Sequence, residues 1–141
     1  MFDVLPVTSP KPMDCGATCL KMLLAYYGQD VELDELAKKC NTRIIGCTAA
    51  DINRVGLEYG LDMKAFRETA EDLMKQDRPA IIWWKYAHFV VFCGLDEDGK
   101  VVICNPDIGR YRMSKETFSC FFTEIALCNG TPEDLPEGEA V

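Results

Sequence analysis

The chain has 141 residues, 48% of them hydrophobic, and a net charge of −8 from 23 acidic against 15 basic residues. That length supports one domain with one substantial core and leaves little room for a second. With no local basic patch, the acidic balance excludes nucleic acid as an expected partner, and no apolar run reaches the roughly 20 residues of a membrane-spanning helix or forms a signal peptide.

A cytoplasmic chain without membrane insertion is therefore expected. Its eight cysteines, at 15, 19, 40, 47, 93, 104, 120 and 128, come with no secretion signal to favour disulfides. They include no Cys-x-x-Cys pair and are accompanied by one histidine, so no metal site and no cofactor are expected.

Residues 1–13 carry Pro6, Pro10 and Pro12 and are predicted to be an extended arm. A helix follows, with Asp14 as N-cap and Gly28 at its end. Leu20, Leu23, Leu24 and Tyr27 form one apolar stripe and Cys19, Met22 and Tyr26 a second, so this helix should be central and buried. Cys15 falls in its first turn, where the macrodipole and free backbone N–H groups favour a thiolate, although the Asp14 carboxylate opposes one. Cys15 is the candidate nucleophile; a small buried residue that merely starts a helix is the plain alternative.

Two amphipathic helices are predicted next, over 31–40 and from a Thr48 cap to Gly60, joined by a loop or short bridge at 43–46. A strand at 61–66 and a short helix at 69–76 precede three strands, at 80–85, 88–93 and 100–104. Residues 94–99 turn between the last two. A polar strand near Tyr111, a capped turn at 114–118 and an apolar strand ending at Cys128 complete a domain over 1–128. Residues 129–141, acidic and with two prolines, read as a disordered tail. Helices first and an antiparallel sheet second make an α+β fold.

His88 opens an apolar strand, where a lone histidine is commonly structural. It is also the only imidazole available as a base for a cysteine nucleophile. Asn105, followed by Pro106, ends the paired strand, where its side-chain carbonyl could fix the imidazole tautomer; an ordinary Asn-Pro turn accounts for it equally well. The pairing register matters here. A two-residue turn at Asp98-Gly99 would set Asn105 opposite Phe92, about four residues and roughly 13 Å from His88. A wider loop over 95–98, closed by Gly94 and Gly99, or an equivalent bulge, would bring the two together.

The segment Asp14-Cys15-Gly16-Ala17-Thr18-Cys19-Leu20-Lys21-Met22, with His88-Phe89-Val90-Val91, resembles the bacteriocin-processing, double-glycine leader cysteine peptidases. Asn105-Pro106, Gly109 and Phe118 resemble that family's third segment, so the likeness extends over about residues 8–128. It implies a papain-like fold, with a helical half carrying the cysteine and a sheet half carrying the histidine. Position by position, it implies Cys15 as nucleophile, His88 as general base and acid, and Asn105 as orienting residue.

The chain departs from the family in three places. Asn105 stands where aspartate is usual, and Ala87 where glycine often precedes the histidine. Ser9, six residues before Cys15, replaces the glutamine that donates to the oxyanion, leaving Ser9 and the Cys15 backbone N–H as the oxyanion region. The implied activity is cleavage of a peptide or precursor protein after a Gly-Gly-type motif through an acyl-enzyme, with room for a separate export transporter as a partner. Two other functions share these residues: a leader-binding domain with impaired catalysis, and a Cys-His acyltransferase that passes the acyl group to an amine.

Overall fold

The computed structural model describes residues 1–43, 46–132 and 139–140. A 3-10 turn, Pro12–Asp14, leads into α1 (Cys15–Tyr26), then α2 (Leu33–Lys39), α3 (Ala49–Glu58), β1 (Met63–Arg67), α4 (Ala70–Lys75) and β2 (Ala80–Trp84). After these come β3 (His88–Leu95), β4 (Val101–Asn105), β5 (Gly109–Met113), α5 (Lys115–Phe121), β6 (Phe122–Asn129) and β7 (Glu139–Ala140). The strands form one sheet in the order β5-β4-β3-β2-β6-β1-β7, and the pairings are antiparallel.

The helices end where the sequence says they should. Gly28, at φ +93°, lets the Gln29 N–H reach the Leu24 carbonyl at 2.8 Å while its own N–H reaches Ala25, the two bonds of a Schellman cap. Gly60 closes α3 in the same way, and Asn41, at φ +54°, closes α2. At the start of α3, Thr48 and Asp51 form a reciprocal capping box. Helix α1 starts differently from the expected cap. The Asp14 side chain makes no capping bond; the 3-10 turn supplies the entry, with the Cys15 N–H donating to the Pro12 carbonyl.

Both faces of the sheet are covered. Helices α1 to α3 pack on one face over Ile81, Phe89, Val91, Cys93 and Leu127. The other face carries Ile82, Val90, Phe92 and Ile103, with Phe118 and Leu73 from α5 and α4 against them. Burial on two sides explains why β2, β3 and β4 are continuous apolar runs rather than alternating ones. Along α1, nine of twelve residues are buried, as the double stripe requires.

Between β3 and β4 the register runs Val91↔Cys104 and Phe92↔Ile103, then shifts to Leu95↔Val101. The wide loop over 95–98 does not form. Instead β3 continues to Leu95, and Asp96 closes a compact turn by accepting the backbone N–H groups of Asp98 and Lys100, each at 2.9 Å. Gly94, at φ +90°, sits where the register shifts, and this bulge moves Asn105 toward His88. Continuing the Val91↔Cys104 register puts Asn105 level with Val90, so His88 and Asn105 are diagonal neighbours with like side-chain direction.

Parts of the stretch after Cys128 belong to the sheet. Asn129 ends β6, the Gly130 N–H donates to the Asp62 carbonyl at 2.7 Å, and Glu139–Ala140 pairs with Phe66 and Arg67 of β1. A two-residue strand needs only free backbone groups at an open sheet edge, which composition does not reveal. Residues 133–138 and 141 of the expected tail, and Ile44-Ile45 of the expected 43–46 loop, lie outside the described residues. Around them, Arg43 and Gly46 form an isolated bridge. No helix among the described residues is long and apolar enough to cross a membrane.

Glu68, between β1 and α4, is 4% exposed, and neither of its carboxylate oxygens has a hydrogen-bond partner among the described residues. Burial, helped by the charge of Asp72, pushes its carboxyl up to about 7. The folded protein therefore holds it protonated at pH 5, while the unfolded chain ionises from about pH 4.5. Stability falls as pH rises from there through about 7. Glu68→Gln removes that fall. Denaturant titrations should show the variant gaining of the order of 1–3 kcal/mol over the parent between pH 5 and pH 8, whereas an equal offset at both pH values would contradict this account.

Candidate active site

Cys15, His88 and Asn105 are far apart in sequence and meet at one end of the sheet. Helix α1 contributes Cys15 as its first residue, β3 contributes His88 as its first, and β4 contributes Asn105 as its last. The Cys15 thiol lies near the His88 imidazole and acts on its pKa. On the far side of the ring, His88 Nε2 lies 2.9 Å from Asn105 Oδ1. With Nε2 taken up by Asn105, Nδ1 is the nitrogen left for the thiol. The same Oδ1 accepts the Asp107 backbone N–H at 2.9 Å, and Asn105 Nδ2 donates to the Tyr111 hydroxyl at 3.4 Å. The amide is thus held at both ends, and its orientation is set by these partners.

Burial by itself would lower the His88 pKa. The nearby Cys15 thiol, the hydrogen bond to Asn105 and the charge of Asp107 outweigh it and raise the imidazole above its ordinary value. Relative to a free histidine, the balance is shifted toward the imidazolium.

Helix α1 approaches the sheet closely because its second residue is glycine. A Cβ on Gly16 would lie 2.6 Å from Cys47 Sγ, 3.1 Å from Ile52 Cδ1 and 3.3 Å from Phe89 Cδ2. Beside that contact opens a cleft of about 380 Å³, lined by Cys47, Ala49, Trp83, Phe89 and Ile125, with Arg43 at its edge. Trp83 and Phe89 meet edge to face at 4.5 Å and form an apolar wall.

Ser9 and the Cys15 N–H, the expected oxyanion region, have their own partners. Ser9 lies against the turn after Asn105, its N–H donating to the Pro106 carbonyl at 2.9 Å. Its hydroxyl bonds Lys11 and, among the described residues, no atom of Cys15. The Cys15 N–H is engaged by Pro12, because the 3-10 turn closes one residue earlier than an α-helical turn would. Asp107, Tyr111 and the cleft residues escaped the sequence reading. Asp107 follows Asn105-Pro106 at a position where a turn residue attracts no notice.

An α+β fold with a thiol at a helix start and an imidazole at a strand start is that of a papain-like cysteine peptidase. The chain belongs to the Peptidase C39 family, whose model matches residues 6–133. It is 31% identical to the probable microcin-H47 secretion/processing ATP-binding protein MchF and, again at 31%, to the colicin V secretion/processing ATP-binding protein CvaB, both of Escherichia coli. Each alignment takes in 81% of this chain and 16% of the relative, so the chain spans about a sixth of those proteins. An uncharacterized protein of Methanothermobacter marburgensis, 25% identical, is matched over 94% of this chain and 92% of its own length.

Among solved structures, a double glycine motif protease from an AMS/PCAT transporter, in complex with the leader peptide, superposes with a TM-score of 0.85 at 32% identity. That match includes 89% of this chain and 90% of the other. The peptidase domain of Streptococcus ComA shares the fold with a TM-score of 0.78 at 23% identity, over 91% of this chain and 97% of that one. The family and the papain-like fold expected from the sequence are those found.

Two residues just before His88 have left-handed backbone: Tyr86 at φ +68° and Ala87 at φ +56°. Neither is a residue type that adopts this region readily, and together they turn β2 into β3. Ala87→Gly should relieve part of that strain and stabilise the protein by about 0.5–1 kcal/mol, net of glycine's greater freedom when unfolded. Thermal melts of the two proteins check this; a lower melting temperature for Ala87→Gly would show the turn to be unstrained.

Proposed function

We propose that this chain is a thiol peptidase that cuts a peptide or precursor protein after a small-residue motif such as Gly-Gly, using Cys15, His88 and Asn105. The observation that carries the reading is the convergence of a helix-start thiol, a single imidazole and a fixed amide at one end of the sheet, with His88 Nε2 2.9 Å from Asn105 Oδ1. His88 Nδ1 takes the Cys15 proton, and the sulfur attacks the scissile carbonyl carbon. The imidazolium then gives that proton to the departing amine, leaving an acyl-enzyme. Water, losing a proton to His88, releases the acid and restores the thiol. Asn105 keeps the ring in the tautomer that each step needs.

Glycine at the cleaved bond is suited to a site where Gly16 already brings helix and sheet into contact. The apolar cleft beside it suits hydrophobic side chains elsewhere on the peptide. The names of the curated relatives pair processing with secretion and ATP binding, which supports an export transporter as a partner and a site on the cytoplasmic side.

A second reading, binding of a leader without efficient cleavage, is favoured by two specific observations. Ser9 replaces a longer donor, and the Cys15 N–H is already bonded to Pro12. In the peptidase reading that N–H is shared between Pro12 and the oxyanion, since three-centre bonds are common at helix starts. One missing oxyanion donor costs about 10²- to 10³-fold in rate, which slows an enzyme without silencing it.

Mass spectrometry of a Gly-Gly leader peptide incubated with the protein distinguishes these readings. We expect a fragment ending in Gly-Gly, its rate falling at least roughly 10³-fold in Cys15→Ala and in His88→Ala. Ser9→Gln should raise the rate roughly tenfold. Binding with no cleavage by any of these proteins would favour the binding domain, and a ligated product would favour acyl transfer to an amine.

A further inference from the structure

We propose that Asp107 is a positioning residue for His88: its carboxylate stabilises the imidazolium and supplies, beside neutral Asn105, the negative charge that the amide lacks. The inference rests on reading Cys15, His88 and Asn105 as the catalytic centre. It starts from one distance. Asp107 Oδ2 lies 3.5 Å from His88 Nε2, the same ring nitrogen that meets Asn105 Oδ1.

Two acceptors therefore converge on one N–H, and they do different things. Asn105, buried and tied to Tyr111, sets the direction of the ring but carries no charge. Asp107 carries the charge, and its place is fixed by the backbone around it. Its own N–H donates to Asn105 Oδ1, Pro106 restricts the torsion before it, and the Pro106 carbonyl is held by the N–H of Ser9. The arm that leads into the cysteine helix thus also braces the turn that presents this carboxylate.

The other groups around the imidazole leave the role open for Asp107. From α1 comes the Cys15 thiol. From β2 the residue paired with His88 is Trp84, which is uncharged. From β5 the Tyr111 hydroxyl touches Asn105 rather than the ring. Asp107 is the carboxylate recorded against Nε2 among the described residues. In the reaction His88 becomes an imidazolium twice, once with the proton of Cys15 and once with the proton of water, and an adjacent anion favours both moments. The Asp107 side chain is 49% exposed, so its attraction is partly screened and should weaken as salt is added.

His88 is the only histidine in the chain, so its ring resonances can be followed by NMR without ambiguity. In a Cys15→Ala protein, which removes the thiol's own titration, adding Asp107→Asn should lower the His88 midpoint by roughly half a pH unit at low salt. The difference should shrink in 1 M salt, and Asn105→Asp added to Asp107→Asn should raise the midpoint again. Spectral dispersion reports in the same sample whether each variant is folded. Identical midpoints in two folded proteins at low salt would overturn the proposal, as would a shift that salt leaves unchanged. The titration decides the role of Asp107 whether or not any peptide is cleaved. A shifted midpoint without cleavage would count against the peptidase reading alone, and cleavage with an unshifted midpoint against Asp107 alone.

Discussion

The site depends on how closely the first turn of α1 lies on β3. Cys15 and His88 lie more than seventy residues apart in sequence, and only the packing of that helix on the sheet brings sulfur to imidazole. Gly16 permits the approach, because any side chain there would run into Cys47, Ile52 and Phe89. Burial of nearly the whole of α1 then holds the helix in place. A displacement of an ångström at this contact would be enough to lose the geometry that acyl transfer needs.

The second constraint is the register of β3 against β4. Strand pairing by itself delivers Asn105 to the wrong level, and the bulge at Gly94 corrects it. The turn beyond Asn105 then gathers three contacts in five residues: the amide to His88, the Asp107 N–H to the amide, and the Pro106 carbonyl to the arm at Ser9. Arm, turn and the Asn105 amide form one connected unit.

Much of this was legible in the sequence, for identifiable reasons. Helix ends at Gly28 and Gly60 and the cap at Thr48 follow from local backbone chemistry, and the apolar runs of β2 to β4 follow from burial on both faces. Cys15, His88 and Asn105 stood out because a thiol, an imidazole and an amide at element ends form a set that nucleophilic chemistry can use. What escaped notice depends on three-dimensional closure. The register was expected to come from a wide loop or a bulge; the choice of the bulge at Gly94 follows from Asp96, which caps the turn with its own carboxylate. The engagement of the Cys15 N–H by Pro12 and the edge strand at Glu139–Ala140 are backbone events with no side-chain signature. Asp107 looked like any acidic turn residue until its distance to Nε2 was known.

The central claim is that Cys15 is made reactive by His88 and faces the peptide cleft. A leader-like peptide ending in a Gly-Gly chloromethyl ketone tests it directly, with the labelled cysteine located by peptide mapping. The account predicts a single adduct, on Cys15, whose rate collapses in His88→Ala while exposed Cys120 stays unlabelled. Labelling of Cys47 or Cys120 at a comparable rate, or of Cys15 at a rate indifferent to His88, would contradict it.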